Sequence, residues 1–303
     1  MAVGPEPKNL KRGLLYGFSA YLIWGSFPIL IKSLSFANPF EVVVWRIAFG
    51  LLLALILISA TRTWRNVLEV VRDKRRLGLL AFCSVLIYVN WQIYVIGVAS
   101  GHVVETALGY FINPLVTIVL AVLFQKERMA TLQWVAVGFG ALAVGVITWD
   151  YGQVPWIALS LAISFGFYGL VKSRIGGTVT PLTGYSVETA LLVPVALAQG
   201  IVVANIDGLK IGTDGWWSWA GLLTFGFLTA IPLILFGAAA KHLPLSYVGF
   251  MQYMTPTMQF VFALTLFHEP MPASRWVGFG LVWVALAVLS VHVVRRLRAA
   301  RGH

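Results

Sequence analysis

Ten stretches of apolar residues follow one another along this chain, each long enough for a helix to cross a hydrocarbon core about 30 Å thick. They fall at residues 14–34, 41–59, 77–99, 103–124, 132–149, 154–171, 182–204, 216–239, 245–267 and 276–294. Lipid offers no hydrogen bonds to the backbone, so each stretch is expected to be a helix. Composition agrees: 59% of the 303 residues are hydrophobic and 11% are charged, with a mean hydropathy of +0.85. A soluble domain carries about 25% charged residues. The longest connection, 61–76, leaves no room for a soluble domain. The first stretch is full length for a span, so no cleavable signal peptide is expected. The single cysteine, Cys83, permits no internal disulfide. The expected fold class is all-α integral membrane, with ten transmembrane helices.

The net charge of +11 is not a nucleic-acid signal, because the charges are sorted by loop. With the N-terminus inside, 18 of the 22 Lys and Arg residues fall in inner loops and termini, three fall outside, and Arg46 lies within a span. Inner loops are enriched in Lys and Arg, so both termini are expected to be cytoplasmic. The basic tail, 295–301, then sits at anionic headgroups.

The chain also repeats itself. At a constant offset of 142 residues Pro114 aligns with Pro256, Glu127 with Glu269, Trp134 with Trp276 and Gly138 with Gly280. Lys32-Ser33 aligns with Lys172-Ser173 at an offset of 140. Residues 1–150 therefore form a first five-helix unit, and 151–303 a second with the basic cytoplasmic tail. Five is odd, so the second unit enters the membrane from the opposite side, as an inverted repeat. Such halves can close on either face around one midplane site, which is the arrangement of many secondary transporters. The plainer reading is that duplication was a simple way to build a bundle.

Polar groups within spans face the bundle interior and often carry function. Tyr110, Asn113 and Thr117 on the fourth stretch are spaced i, i+3, i+7, and so share one helical face. The aligned positions on the ninth are Gln252, Thr255 and Gln259, and each trio lies beside a proline that frees a backbone carbonyl. These faces are read as lining a central cavity that binds a small-molecule substrate. The alternative is hydrogen bonding between helices. Asn90, Trp91 and Tyr94 offer an amide and aromatic walls, while Trp24, Tyr21 and Tyr168 could stack on a flat solute or simply pack. Arg46 and Glu188 occupy equivalent places in the two units with opposite sign. An Arg46–Glu105 pair could gate the outer side and a Lys172–Glu188 pair the inner one, or each could merely neutralise its partner. Glu105 and Glu188 are also the candidates for proton coupling.

No G-x-x-x-x-G-K-[ST] loop is present, which argues against direct ATP drive, and no H-E-x-x-H or paired-cysteine metal site is present. No catalytic residue, cofactor or nucleic-acid partner is expected. The partners are the lipid bilayer and a small solute, and the chain works as a monomer or homodimer. A membrane enzyme acting on a lipid or isoprenoid is the competing class, but it would need an acid/base or metal constellation that the sequence lacks. A passive channel would more usually repeat a polar ring in identical subunits.

Several of these segments resemble the RarD family. They are 105–115 with Glu127-Arg128 and Gln133-Trp134, Tyr21 with Trp24-Gly25, Asn90-Trp91, 165–171, Glu188-Thr189 with Pro194, and 249–253 with Pro256-Thr257. The resemblance runs from about Gly13 to Arg295. RarD proteins form part of the EamA branch of the drug/metabolite transporter superfamily. The resemblance implies ten helices in two inverted halves, the bacterial inner membrane, and an exporter or permease linked by name to chloramphenicol sensitivity. It also extends candidacy to Tyr253, beside Trp24, Asn90, Trp91, Glu105, Tyr110, Asn113, Glu188 and Gln252. One position departs. A histidine often precedes the arginine of the second span, and here Trp45 stands there, so a role for that histidine does not carry over.

Overall fold

A computed structural model describes residues 10–126, 129–175, 178–213, 215–243 and 251–301. Among these residues the chain is helical throughout, in thirteen helices. Helices α1 (Leu10–Gly25) and α2 (Phe27–Ser33) make one span, interrupted at Ser26 just before Pro28. Then come α3 (Pro39–Thr61), α4 (Trp64–Arg72), α5 (Lys74–Ala99), α6 (Val103–Gln125), α7 (Thr131–Tyr151) and α8 (Trp156–Ile175). The second half holds α9 (Pro181–Leu191), α10 (Val193–Ile206), α11 (Trp216–His242), α12 (Met254–Thr265) and α13 (Ala273–Arg301).

Eight helices are long and apolar enough to span a membrane, or nine when the α9–α10 pair, bent by 44°, counts as one. The bend sits at Leu192, two residues before Pro194, whose ring cannot continue the hydrogen-bond ladder. The expected ninth span, 245–267, contributes the twelve residues of α12, and 244–250 lie outside the described residues. The described residues thus carry up to nine of the ten expected spans and part of the tenth.

Local chemistry sets several ends. Asn38 accepts from Phe40 N at the start of α3, where Pro39 takes the first helical position. Arg62 and Lys126 close α3 and α6 in the left-handed region, with cations at the negative ends of the helix dipoles. The 61–76 segment, read from the sequence as a plain connection, contains a helix instead. In α4, Trp64, Leu68 and Val71 are exposed along one stripe, while Val67 and Val70 pack on the foot of α5. A nine-residue helix of this kind suits the headgroup plane.

Helices α7 and α13 pair with each other. Around the centre α6 packs on α8 and α12, α1 on α11 and α12, α5 on α8 and α9, and α3 on α10 and α11. Two contacts are closer than side chains allow. A Cβ on Gly109 of α6 would lie 2.8 Å from the Ala158 carbonyl oxygen, and one on Gly226 of α11 would lie 2.5 Å from Phe49 Cβ. Small residues at such crossings let membrane helices approach closely. The core they surround contains Ile47, Val95, Leu108, Leu161, Leu222 and Phe279. Trp149, Trp156, Trp216, Trp217 and Trp276 are exposed at the end of the bundle where α7 stops and α8, α11 and α13 start. That is the placement of an interfacial aromatic belt.

Candidate functional site

Arg46 lies in the second turn of α3, and its residue is only 5% exposed. Its guanidinium carbon sits 4.3 Å from the ring centroid of Trp91, 5.1 Å from Phe225 and 5.5 Å from Phe27. Helices α5, α11 and α2 thus each contribute an aromatic face. Around it stand the phenols of Tyr185, Tyr110 and Tyr94. Nε and Nη1 of Arg46 have no hydrogen-bond partner, and neither do the hydroxyls of Tyr94 and Tyr185. Gln259 of α12, 1% exposed, sets its amide beside the Tyr94 hydroxyl, and its Oε1 has no donor. Buried polar atoms are nearly always bonded. Here several unbonded ones converge around one cation, and a guanidinium stays protonated.

The other sequence-derived candidates separate into two groups. Several tie helices together. Asn90 donates to Leu161 O at 3.2 Å and to Ser164 Oγ at 3.0 Å, and accepts from Tyr110 at 3.3 Å. Asn113 donates to Ala162 O at 3.1 Å, binding α6 to α8, and Thr117 bonds back to Asn113 O within its own helix. Thr255 donates to Tyr21 O at 3.2 Å, and the Gln259 amide to Trp24 O at 3.4 Å, binding α12 to α1. For Asn113, Thr117 and Thr255 the structure therefore shows helix-to-helix or within-helix bonding rather than an amide or hydroxyl directed at a ligand. Trp24 packs between Tyr21 and Phe236. Gln252 and Tyr253 form the half-buried turn before α12.

The second group is ionic. Lys172 Nζ lies 2.5 Å from Glu188 Oε1, and Tyr168 donates to Oε2 at 3.1 Å, so the expected Lys172–Glu188 pair is formed. Tyr168 is taken up by this pair and by its stack on Phe165. The expected Arg46–Glu105 pair is not formed. Glu105 accepts from Ile157 N at 3.0 Å and Ala158 N at 3.4 Å, capping α8 from a neighbouring helix, where a carboxylate suits the positive dipole end. Arg46 has no carboxylate partner among the described residues.

Two further carboxylates escaped the sequence reading as site residues. Glu41, fully buried, accepts from Lys210 N, Ile211 N and Trp45 Nε1 at 2.9–3.1 Å. Glu269 accepts from Val103 N at 2.7 Å and Val104 N at 2.8 Å, at the start of α6. Burial pushes the Glu269 carboxyl up, while the two backbone N–H groups, Lys32 and His102 draw it back. Its repeat partner Glu127 lies outside the described residues. The repeat had marked Glu269. Glu41 carried no signal beyond its place at the edge of an apolar run.

A recess beside Glu105, lined by His102, Gln153, Trp156 and Arg275 among others, holds about 60 Å³. Sites for drug-sized solutes run to about 300–1,000 Å³. A wider, open groove of about 660 Å³ runs along Gly138, Leu142, Gly145 and Trp149 and is lined almost wholly by apolar residues, so the buried, unbonded polar atoms around Arg46, rather than cavity volume, make that centre the candidate site.

Residues 11–149 match the EamA-like transporter family. A protein named RarD from Streptomyces exfoliatus is 42% identical, covering 96% of this chain and 92% of its own. An uncharacterized transporter of Pseudomonas aeruginosa is 40% identical over 96% of this chain and 97% of its own. Protein RarD of Escherichia coli is 36% identical over 95% and 97%. A solved crystal structure superposes with a TM-score of 0.58 at 16% identity, covering 94% of this chain and 98% of that one, a likeness of fold.

Proposed function

Because the chain belongs to the RarD family of EamA-like transporters, we propose that it is a secondary transporter working by alternating access. In this reading it exports small amphipathic or aromatic solutes across the bacterial inner membrane. Its relatives, matched along nearly their whole length, bear transporter names. The observation that carries the reading further is the buried polar centre around Arg46, where α3, α5, α6, α9 and α12 converge with unbonded polar atoms.

The packing supports ten spans in two inverted halves. Under that repeat, α6 on α8 corresponds to α12 on α1, α1 on α11 to α8 on α5, and α3 on α11 to α9 on α5. Pairs α7–α13, α3–α10 and α6–α12 map onto themselves. Even single bonds correspond: Asn113 reaches a carbonyl of α8 as Thr255 reaches one of α1. Sorting of Lys and Arg supports cytoplasmic termini. A more distant Pseudomonas aeruginosa relative, 24% identical, is named a chloramphenicol-sensitive RarD protein, which keeps amphenicols among the trial solutes.

The test is exchange of labelled solute in proteoliposomes, with compounds chosen by thermal shift from amino acids, aromatic metabolites and amphenicols at two pH values. A ligand of the folded state alone raises the melting temperature in a concentration-dependent way. Saturable exchange of a stabilising compound is the expected result. Stabilisation by lipid precursors alone, with chemical conversion and no exchange, would move the protein into the class of membrane enzymes.

A further inference from the structure

We infer that the solute carried at this centre is an organic anion, an aromatic or apolar body bearing one carboxylate, and that Arg46 recognises its charge. The inference rests on the transporter reading and narrows it.

Lys172 and Glu188 neutralise each other, and Tyr168 takes the remaining carboxylate oxygen. Glu41, Glu105 and Glu269 are committed to backbone N–H groups. Among the described residues, Arg46 alone brings an uncompensated charge into the core of the bundle, with two guanidinium nitrogens unbonded. The faces of Trp91, Phe225 and Phe27 offset part of its desolvation, yet they leave the N–H groups of Nε and Nη1 unused. The charged N–H groups at Nε and Nη1 are donors that a carboxylate satisfies, and a two-bond fork on a carboxylate would also enlist Nη2.

The surroundings extend the match. The Tyr94 and Tyr185 hydroxyls, whose side-chain neighbours are Gln259 and Thr189, each keep an O–H that can donate to an anion. The rings around the cation present flat faces to a flat body. An ammonium group would need a free carboxylate here, and Glu188 is already occupied, so a simple acid fits better than a zwitterion. Export also becomes favourable: an anion leaving an inside-negative cell moves with the membrane potential.

The experiment compares benzoate with benzamide, and indole-3-acetate with indole-3-acetamide, pairs alike in shape and different in charge. Binding is read by thermal shift at fixed ionic strength on the full-length protein in nanodiscs, as wild type, Arg46→Met and Arg46→Lys. The acids should act on the wild type at concentrations lower than the amides by about tenfold or more. That preference should vanish in Arg46→Met and survive in part in Arg46→Lys. Equal action of acid and amide, an acid preference that persists in Arg46→Met, or no action of either acid on the wild type would each overturn the inference. Should Arg46→Met not fold, the acid–amide comparison on the wild type and Arg46→Lys still decides. Proteoliposomes separate this inference from the reading beneath it. Exchange of an uncharged amphenicol by wild type and Arg46→Met alike would overturn the anion and leave the transporter standing. Acid binding through Arg46 without any exchange would do the reverse.

Discussion

Charged side chains packed into this bundle are treated in two opposite ways. Glu41, Glu105 and Glu269 each accept from two or more donors, and each fastens one segment of backbone to another. Arg46, 5% exposed, is instead surrounded by three ring faces, and its nitrogens Nε and Nη1 are unbonded. The carboxylates are satisfied parts of the fold. The cation is a standing cost, because a buried charge without an ionic partner loses hydration that the ring faces offset only in part. Residues that cost stability and are nevertheless present are the ones to suspect of function. The difference separates structural from functional charge without any ligand in view.

The largest expected effect tests the functional side. Arg46→Met should reduce solute exchange in proteoliposomes by about a hundredfold or more, a loss on the order of 3 kcal/mol of recognition. In the same variant the solute-free protein should melt higher, because replacing buried charge by a well-packed apolar side chain is often stabilising by about 1–4 kcal/mol. A variant that loses exchange and also melts lower would place Arg46 with the carboxylates and erase the contrast.

Glu41→Ala probes the other side. It removes the acceptor of three half-buried donors, the N–H groups of Lys210 and Ile211 and the Trp45 indole. Each donor left unsatisfied costs about 1–3 kcal/mol, so a large fall in melting temperature is expected. Glu41→Gln keeps one carbonyl acceptor and should recover part of it. Unchanged stability in Glu41→Ala would show that the segment around Lys210 is held by other contacts.

How much of this was legible beforehand follows from what each feature depends on. The spans could be read because lipid leaves a segment only one way to satisfy its backbone. Helix α4 could not, because Trp64, Leu68 and Val71 are interleaved with Arg65, Glu69 and Arg72, and a hydropathy pattern averages them away. The bend at Leu192 was visible only as Pro194. Arg46 stood out as a charge within a span, yet its cage did not, since Phe27 and Phe225 lie far apart in sequence and meet only through the packing of α2 and α11 beside α3. Helical spacing placed Tyr110, Asn113 and Thr117 on one face correctly. It could not say that the Asn113 amide is turned to α8 while the Tyr110 ring stands against Tyr94.

A smaller effect is expected where backbones touch. Gly109→Ala puts a methyl 2.8 Å from the Ala158 carbonyl oxygen and 3.0 Å from Leu161 Cβ, so α6 and α8 must part. Overpacking of this kind costs about 1–3 kcal/mol. Both the melting temperature and exchange should fall, because Tyr110 rides on α6 one residue away. Normal exchange with a lowered melting temperature would show that the polar centre tolerates a shift of α6.

The smallest effects test whether the two halves behave as equivalents. Asn113→Leu and Thr255→Val each remove one bond to a neighbouring helix carbonyl, at 3.1 Å and 3.2 Å. Side-chain bonds between membrane helices are worth about 0.6 kcal/mol on average, so each variant should lose only a little stability. If the repeat holds, the two losses should be close in size. The double variant should lose their sum, since the bonds share no partner. Exchange should stay near the wild-type rate in both, as befits bonds that serve packing. Strong loss of exchange in Asn113→Leu at unchanged melting temperature would return its amide to the solute and enlarge the polar centre toward α8.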